Sequence, residues 1–176
     1  MAEIMLTFKQ KLQNIKAFAF DVDGVFSREM LISTAGELIR QMNPKDGYAV
    51  QYALKKHYPV AIITGAACES IRQRFGMLGI TDIYQRSADK LADLEDFRLR
   101  YDLQPEEVLY MGDDLPDYPV MQAAGASACP CDAAEEIRAV ADYVSDRAGG
   151  AGCVRDVIEQ TLKLQGRWMD ADAFSW

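Results

Sequence analysis

The chain has 176 residues, 49% of them hydrophobic, and a formal net charge of −8. That length suits one domain with a substantial core, and no uncharged run approaches the roughly 20 residues that cross a bilayer. The acidic balance argues against a nucleic-acid groove. It leaves room for a phosphate substrate, because local lysines and a bound cation reverse the sign inside a pocket.

Residues 1–13 alternate apolar and polar positions, with Ile4, Phe8 and Leu12 on one side and Lys9 and Lys11 late. They read as an amphipathic helix rather than a signal peptide. The stretch 15–27 holds an apolar run that ends in Asp21-Val22-Asp23-Gly24, as a buried parallel strand would. Residues 29–34 and 37–43 flank Ala35-Gly36 and predict a β-hairpin over about 29–43. Asn43-Pro44-Lys45-Asp46-Gly47 then starts a helix to about Lys56, with Ala49, Val50, Ala53 and Leu54 as its apolar stripe.

A second buried strand spans 59–65 and ends in Thr64-Gly65, followed by a helix over about 68–78 and a short strand at 82–84. A helix over 88–101 is predicted with Leu91, Leu94 and Phe97 inward. Pro105 breaks the chain before the strand 108–111, which ends in Gly112-Asp113-Asp114. A helix at 117–124, a strand at 126–129, a helix at 133–140 and a strand at 143–144 continue the alternation. The glycine loop 149–152 introduces a last helix to about Leu164, ahead of a polar and aromatic tail, 166–176, with Trp168, Phe174 and Trp176. The rhythm predicts one α/β domain over 1–176: a doubly wound, mainly parallel sheet with a projecting hairpin. Cys68, Cys129, Cys131 and Cys153 lack the spacing of a zinc site. They are expected as reduced thiols in a cytoplasmic protein.

The chemistry falls at strand ends, where an open α/β sheet offers its crevice. Gly24 permits a turn that lets Asp21 and Asp23 address one small volume. Two neighbouring anions need a cation or a shared proton, and oxygen-only ligation beside a phosphate favours Mg²⁺. Taken alone, the pair also fits a solvated strand end. Thr64 and Gly65 offer a hydroxyl and free N–H groups that can hold phosphate oxygens, though an ordinary helix cap reads the same way. Lys90 lies near a helix start, where the dipole opposes a cation; a phosphoryl group or metal-bound carboxylates would account for it, as would solvation. Asp113, Asp114 and Asp117 cluster directly after an apolar strand. His57, the one histidine, falls at a helix end and is assigned no catalysis.

Together these motifs carry a resemblance. DVDGV, a hairpin, NxKDG, ITG, ADK, GDDLPDYPVM and GGAGCVRD stand in that order. They resemble the haloacid dehalogenase superfamily, and within it the capless sugar-acid phosphatases, over about residues 15–159. The best-known member of that family hydrolyses 3-deoxy-D-manno-octulosonate 8-phosphate (KDO 8-phosphate). The resemblance implies Asp21 as nucleophile through an aspartyl-phosphate, and Asp23 as general acid and base. It implies Mg²⁺ held by Asp21, the Asp23 backbone carbonyl and Asp113. Thr64, Gly65 and Lys90 would hold the phosphoryl oxygens, with Asp114 and Asp117 behind them, orienting Lys90 or metal-bound water. It also implies a homotetramer whose neighbours wall each other's sites; the charge and hydropathy add the expectation of no membrane or nucleic-acid partner. Two departures bear on the sugar acid: Phe26-Ser27-Arg28 stands where the family often has Leu-Thr-Asp, and Ala66 where an Arg commonly follows the Thr-Gly. A nine-carbon sialic-acid-type 9-phosphate, a broad range of sugar phosphates, and a non-catalytic scaffold are the competing readings.

Overall fold

The structure, a computed structural model, describes residues 6–36 and 38–175. Its centre is β1 (Ala17–Phe20), which pairs with β4 (Val60–Thr64) on one side and β6 (Val108–Met111) on the other. With β5 (Asp82–Gln85), β7 (Ala126–Cys129) and β8 (Tyr143–Val144) they form a six-stranded sheet ordered β5-β4-β1-β6-β7-β8. Every pairing in that sheet is parallel. From β1 the chain winds outward through β4 to β5, and later returns beside β1 as β6 before continuing to β7 and β8. The order therefore reverses between β1 and β6, and a crevice opens there at the carboxyl ends of the strands.

Period-two alternation along β1 supplies both cores. Phe18 and Phe20 face one layer with Tyr52, Phe26, Phe75 and Val157, contributed largely by α2 (Pro44–Lys55), α3 (Glu69–Met77) and α7 (Cys153–Leu164). Ala17 and Ala19 face the other layer, with Leu94 and Phe97 of α4 (Lys90–Arg100), Val120 of α5 (Tyr118–Ala123) and Ile137 of α6 (Glu135–Val140). Phe20 is wholly buried, edge-on to Phe26, so its truncation to alanine would cost about 3–5 kcal/mol.

The hairpin is present as β2 (Ser27–Ile32) and β3 (Leu38–Met42), an antiparallel pair separate from the main sheet. β2 starts two residues earlier than predicted, because the turn after Asp23 already pairs Gly24 N–H with the Ser27 carbonyl at 2.7 Å. The first helix, α1, covers only Phe8–Leu12 among the described residues. Thr7 caps it in a reciprocal box with Gln10, which fixes its start; the predicted Ile4 position lies outside the described residues. Phe8 stacks on Tyr143 and Leu12 is buried, as the stripe requires.

Leu91 corrects the reading of α4. It is exposed, because the buried stripe is Lys90, Leu94 and Phe97. Those residues are spaced i, i+4, i+7, and the face is set by a lysine that turns inward. His57 follows α2 in the left-handed region (φ 64°) and stays exposed. The tail to Ser175 packs on its own chain: the Lys56 ammonium reaches Asp170 at 2.6 Å and Asp172 at 2.7 Å, and Trp168 meets Tyr52 edge-on. Trp176 lies outside the described residues. All four cysteines are free.

Candidate active site

Asp21 extends the β1–β6 ladder by one bond, its N–H donating to the Met111 carbonyl at 3.0 Å. The chain then turns at Val22, whose carbonyl accepts from Phe26 N–H at 2.9 Å. Gly24 makes the turn with φ 87°, a conformation side chains disfavour. Space is the stronger constraint: a Cβ on Gly24 would sit 1.8 Å from Asp113 Oδ2. The loop after β1 and the loop after β6 are therefore in direct contact at the switch point.

Three carboxylates converge there. One oxygen from each of Asp21, Asp113 and Asp117 lies within 4.8 Å of the others. Asp117 is wholly buried and heavily committed. Its Oδ1 accepts from Lys90 Nζ at 2.7 Å and the Tyr110 hydroxyl at 2.6 Å, and its Oδ2 from the Asp113 N–H at 3.0 Å. Lys90 Nζ also stands 3.0 Å from Asp21 Oδ2. Asp117 thus anchors the ammonium that faces the nucleophile position. Asp114, by contrast, is exposed and caps the following turn, accepting from Leu115 N–H at 2.8 Å.

The charges strain one another. Burial, reinforced by the Asp117 charge, raises the Asp21 carboxyl to about 6 despite Lys90. Burial and the charges of Asp21 and Asp117 raise Asp113 to about 7. Burial works against the Lys90 ammonium, yet Asp21 and Asp117 outweigh it and raise its pKa. Burial and the Asp117 charge keep Tyr110 protonated far above its usual range. Asp113 Oδ1 is buried with no hydrogen-bond partner among the described residues. An orphaned carboxylate oxygen beside a second carboxylate, with no nitrogen or sulfur donor in the group, fits a hard cation such as Mg²⁺.

Thr64 ends β4 with its hydroxyl buried, accepting from the Ala66 N–H at 3.2 Å. Gly65 beside it is exposed. With Asp21, Lys90 and Asp113 they line one open cavity of about 500 Å³. Asp23 also lines it, outside the group of three carboxylates: Arg40 of β3 holds it through Nε at 2.7 Å and Nη2 at 2.9 Å, and Ser27 Oγ adds a bond at 3.1 Å. Three residues escaped sequence reasoning: Tyr110 and Ser87 at the site, and Arg40 behind Asp23. Arg28, singled out just past the DVDG turn, is a wall of the cavity.

Comparison with known proteins gives the site its relatives. Residues 69–157 match the family of haloacid dehalogenase-like hydrolases. The 3-deoxy-D-manno-octulosonate 8-phosphate phosphatase of Escherichia coli is 40% identical over 162 residues, 92% of this chain and 86% of that protein. The chain belongs to this phosphatase family. The crystal structure of the family member from Yersinia pestis superposes with a TM-score of 0.88 at 37% identity, covering 91% of this chain and 87% of that one. That from Moraxella catarrhalis, solved with magnesium, phosphate and KDO, gives 0.88 at 34% identity and covers 95% of each chain.

Proposed function

We infer that this protein hydrolyses KDO 8-phosphate to KDO and inorganic phosphate, with Mg²⁺ as cofactor. The observation that carries the reading is the cluster at the β1/β6 switch point. There a buried ammonium is clamped between Asp21 and Asp117, beside a carboxylate whose inner oxygen has no partner among the described residues. Such a site is shaped for an anionic substrate that arrives with a divalent cation. Mg²⁺, held by the Asp21 and Asp113 carboxylates and the Asp23 backbone carbonyl, supplies the charge that lets a phosphoryl group approach Asp21.

The chain's own residues divide the chemistry. Asp21 attacks phosphorus while the ester oxygen departs with a proton from Asp23, leaving an aspartyl-phosphate. Asp23 then takes a proton from water as the water oxygen attacks the same phosphorus, which frees phosphate and restores Asp21. Lys90, the Thr64 hydroxyl and the Gly65 N–H hold the equatorial oxygens as charge moves among them. Asp117 keeps Lys90 directed at Asp21, and Tyr110, fixed as a donor, keeps Asp117 in place. Asp114 shapes the turn that presents Asp113.

The whole of 1–176 acts as a single capless domain, and the exposed hairpin completes it. Met30, Leu31, Ile32, Leu38 and Ile39 are each 45–73% exposed, more apolar surface than an isolated ribbon holds in water. Burying these faces against neighbours produces a homotetramer and walls the open cavity. No helix among the described residues is long and apolar enough to cross a membrane, in keeping with a cytoplasmic enzyme. The test is phosphate release from KDO 8-phosphate, a sialic-acid-type 9-phosphate and simple sugar phosphates, with and without Mg²⁺. Mg²⁺-dependent turnover that is fastest on KDO 8-phosphate is expected; preference for the nine-carbon acid, or no discrimination, overturns the substrate.

A further inference from the structure

Arg40 has no place in the chemistry above, yet its side chain is turned inward from the hairpin's second strand. On β3, Leu38 and Ile39 are about half exposed, and Met42 packs on the core. The Arg40 side chain is only 4% exposed, and its fork engages both oxygens of Asp23. A buried guanidinium needs such a partner, and two parallel charge-assisted bonds fix the plane of the carboxylate as well as its position. Arg40 is absent from the residues lining the catalytic cavity, which include Asp21, Lys90 and Thr64. Among the described residues, its hydrogen bonds to the site run through Asp23.

We propose that Arg40 is a positioning residue for proton transfer: the hairpin uses it to hold the Asp23 carboxyl where the leaving oxygen of the substrate arrives. The proposal rests on Asp23 being the general acid. Proton transfer requires heavy atoms within about 2.6–3.2 Å, and a carboxyl side chain free to rotate about its own torsions does not keep that register unaided. Ser27 Oγ contributes one bond at 3.1 Å, which sets a distance but no plane. The fork supplies the plane. It also ties the chemistry to the ribbon, so that whatever packs on the exposed hairpin faces acts on Asp23 as well.

A purely structural anchor would give the same contacts, and leaving-group dependence separates the two. kcat/KM reports the steps up to departure of the leaving group. A sugar alkoxide needs a proton at that moment, whereas p-nitrophenolate leaves without one. Arg40→Met and Arg40→Lys are compared with wild type on p-nitrophenyl phosphate and on the sugar-acid phosphate turned over fastest, with Asp23→Asn in parallel. For Arg40→Met, kcat/KM on the sugar phosphate should fall about 100-fold, the scale of an ångström of misplacement, and on the aryl phosphate by less than about threefold. Arg40→Lys, which keeps the charge and loses the fork, should fall between wild type and Arg40→Met, and it carries the comparison alone if Arg40→Met does not fold. Equal falls on both substrates, or no fall on either, overturn the positioning role. If Asp23→Asn discriminates between the substrates and the Arg40 variants do not, only this proposal fails. If Asp23→Asn does not discriminate either, the general-acid assignment fails with it.

Discussion

Stripping Mg²⁺ should make this protein less stable as pH rises from about 5 to 8, and Asp113→Asn should remove about half of that slope. With Asp21, Asp113 and Asp117 ionised and Lys90 protonated, the cluster carries −3 + 1 = −2 in a mostly buried volume. The metal-free protein relieves this by keeping protons, which is why Asp21 moves from 3.8 to about 6 and Asp113 from 3.8 to about 7. Between the ordinary and raised values the folded state binds more protons than the unfolded chain. The stabilisation is thus complete below about pH 4 and is lost as pH climbs through the folded values. At roughly 1.4 kcal/mol per pH unit, Asp21 loses about 1 kcal/mol above pH 5 and Asp113 about 3 kcal/mol. Their sum is a ceiling, because the two sites interact. Asp46, raised to about 6 chiefly by burial, adds a fall of the same sign that Asp113→Asn retains. Glu107 and Asp172, shifted downward by lysine partners, act only below this window. Urea unfolding followed by circular dichroism, in EDTA and then in excess Mg²⁺, measures the effect. Mg²⁺ should stabilise wild type more at pH 8 than at pH 5, since protons compete for the same oxygens. A flat or rising stability in EDTA, or an unchanged slope in Asp113→Asn, would refute the electrostatic account.

Three further outcomes follow from the geometry. Lys90→Met should lower kcat by about 10²–10³ and leave Asp117 buried without its ammonium, costing the fold about 3–5 kcal/mol; steady-state kinetics and a urea melt check both. Gly24→Ala combines a strained φ with a Cβ placed 1.8 Å from Asp113 Oδ2. It should cost about 1–3 kcal/mol and shift the Mg²⁺ titration of activity to higher concentration. Ile32, 73% exposed on the hairpin, should be buried in the assembly, so Ile32→Glu should convert a tetramer to smaller species by sedimentation velocity. A wild-type monomer with full activity would end the tetramer reading.

The parts of the site that were legible in the sequence are those with a one-dimensional signature. Asp21 and Asp113 close apolar strands β1 and β6, and strand ends of a parallel sheet share one edge whatever the packing details. Lys90 stood out because a cation at a helix start opposes the dipole. The same anomaly leaves Leu91 outside: an apolar stripe includes it, while the buried face belongs to a lysine stem directed at Asp117. Arg40 left no trace in the sequence, since an arginine on a two-stranded ribbon is ordinary. Its inward direction depends on how the ribbon lies over the turn at Asp23. Tyr110 was hidden for the opposite reason: in an apolar strand its ring reads as core, and only the fold brings its hydroxyl to Asp117.

The most direct test of the central claim is phosphate release from KDO 8-phosphate by wild type and Asp21→Asn at saturating Mg²⁺. The substitution keeps the shape of the side chain and removes the nucleophilic, cation-binding oxygen. Turnover by the wild type, with a loss of roughly four orders of magnitude or more in a folded Asp21→Asn protein, is the predicted result. A folded Asp21→Asn enzyme within a few-fold of wild type would contradict the covalent route.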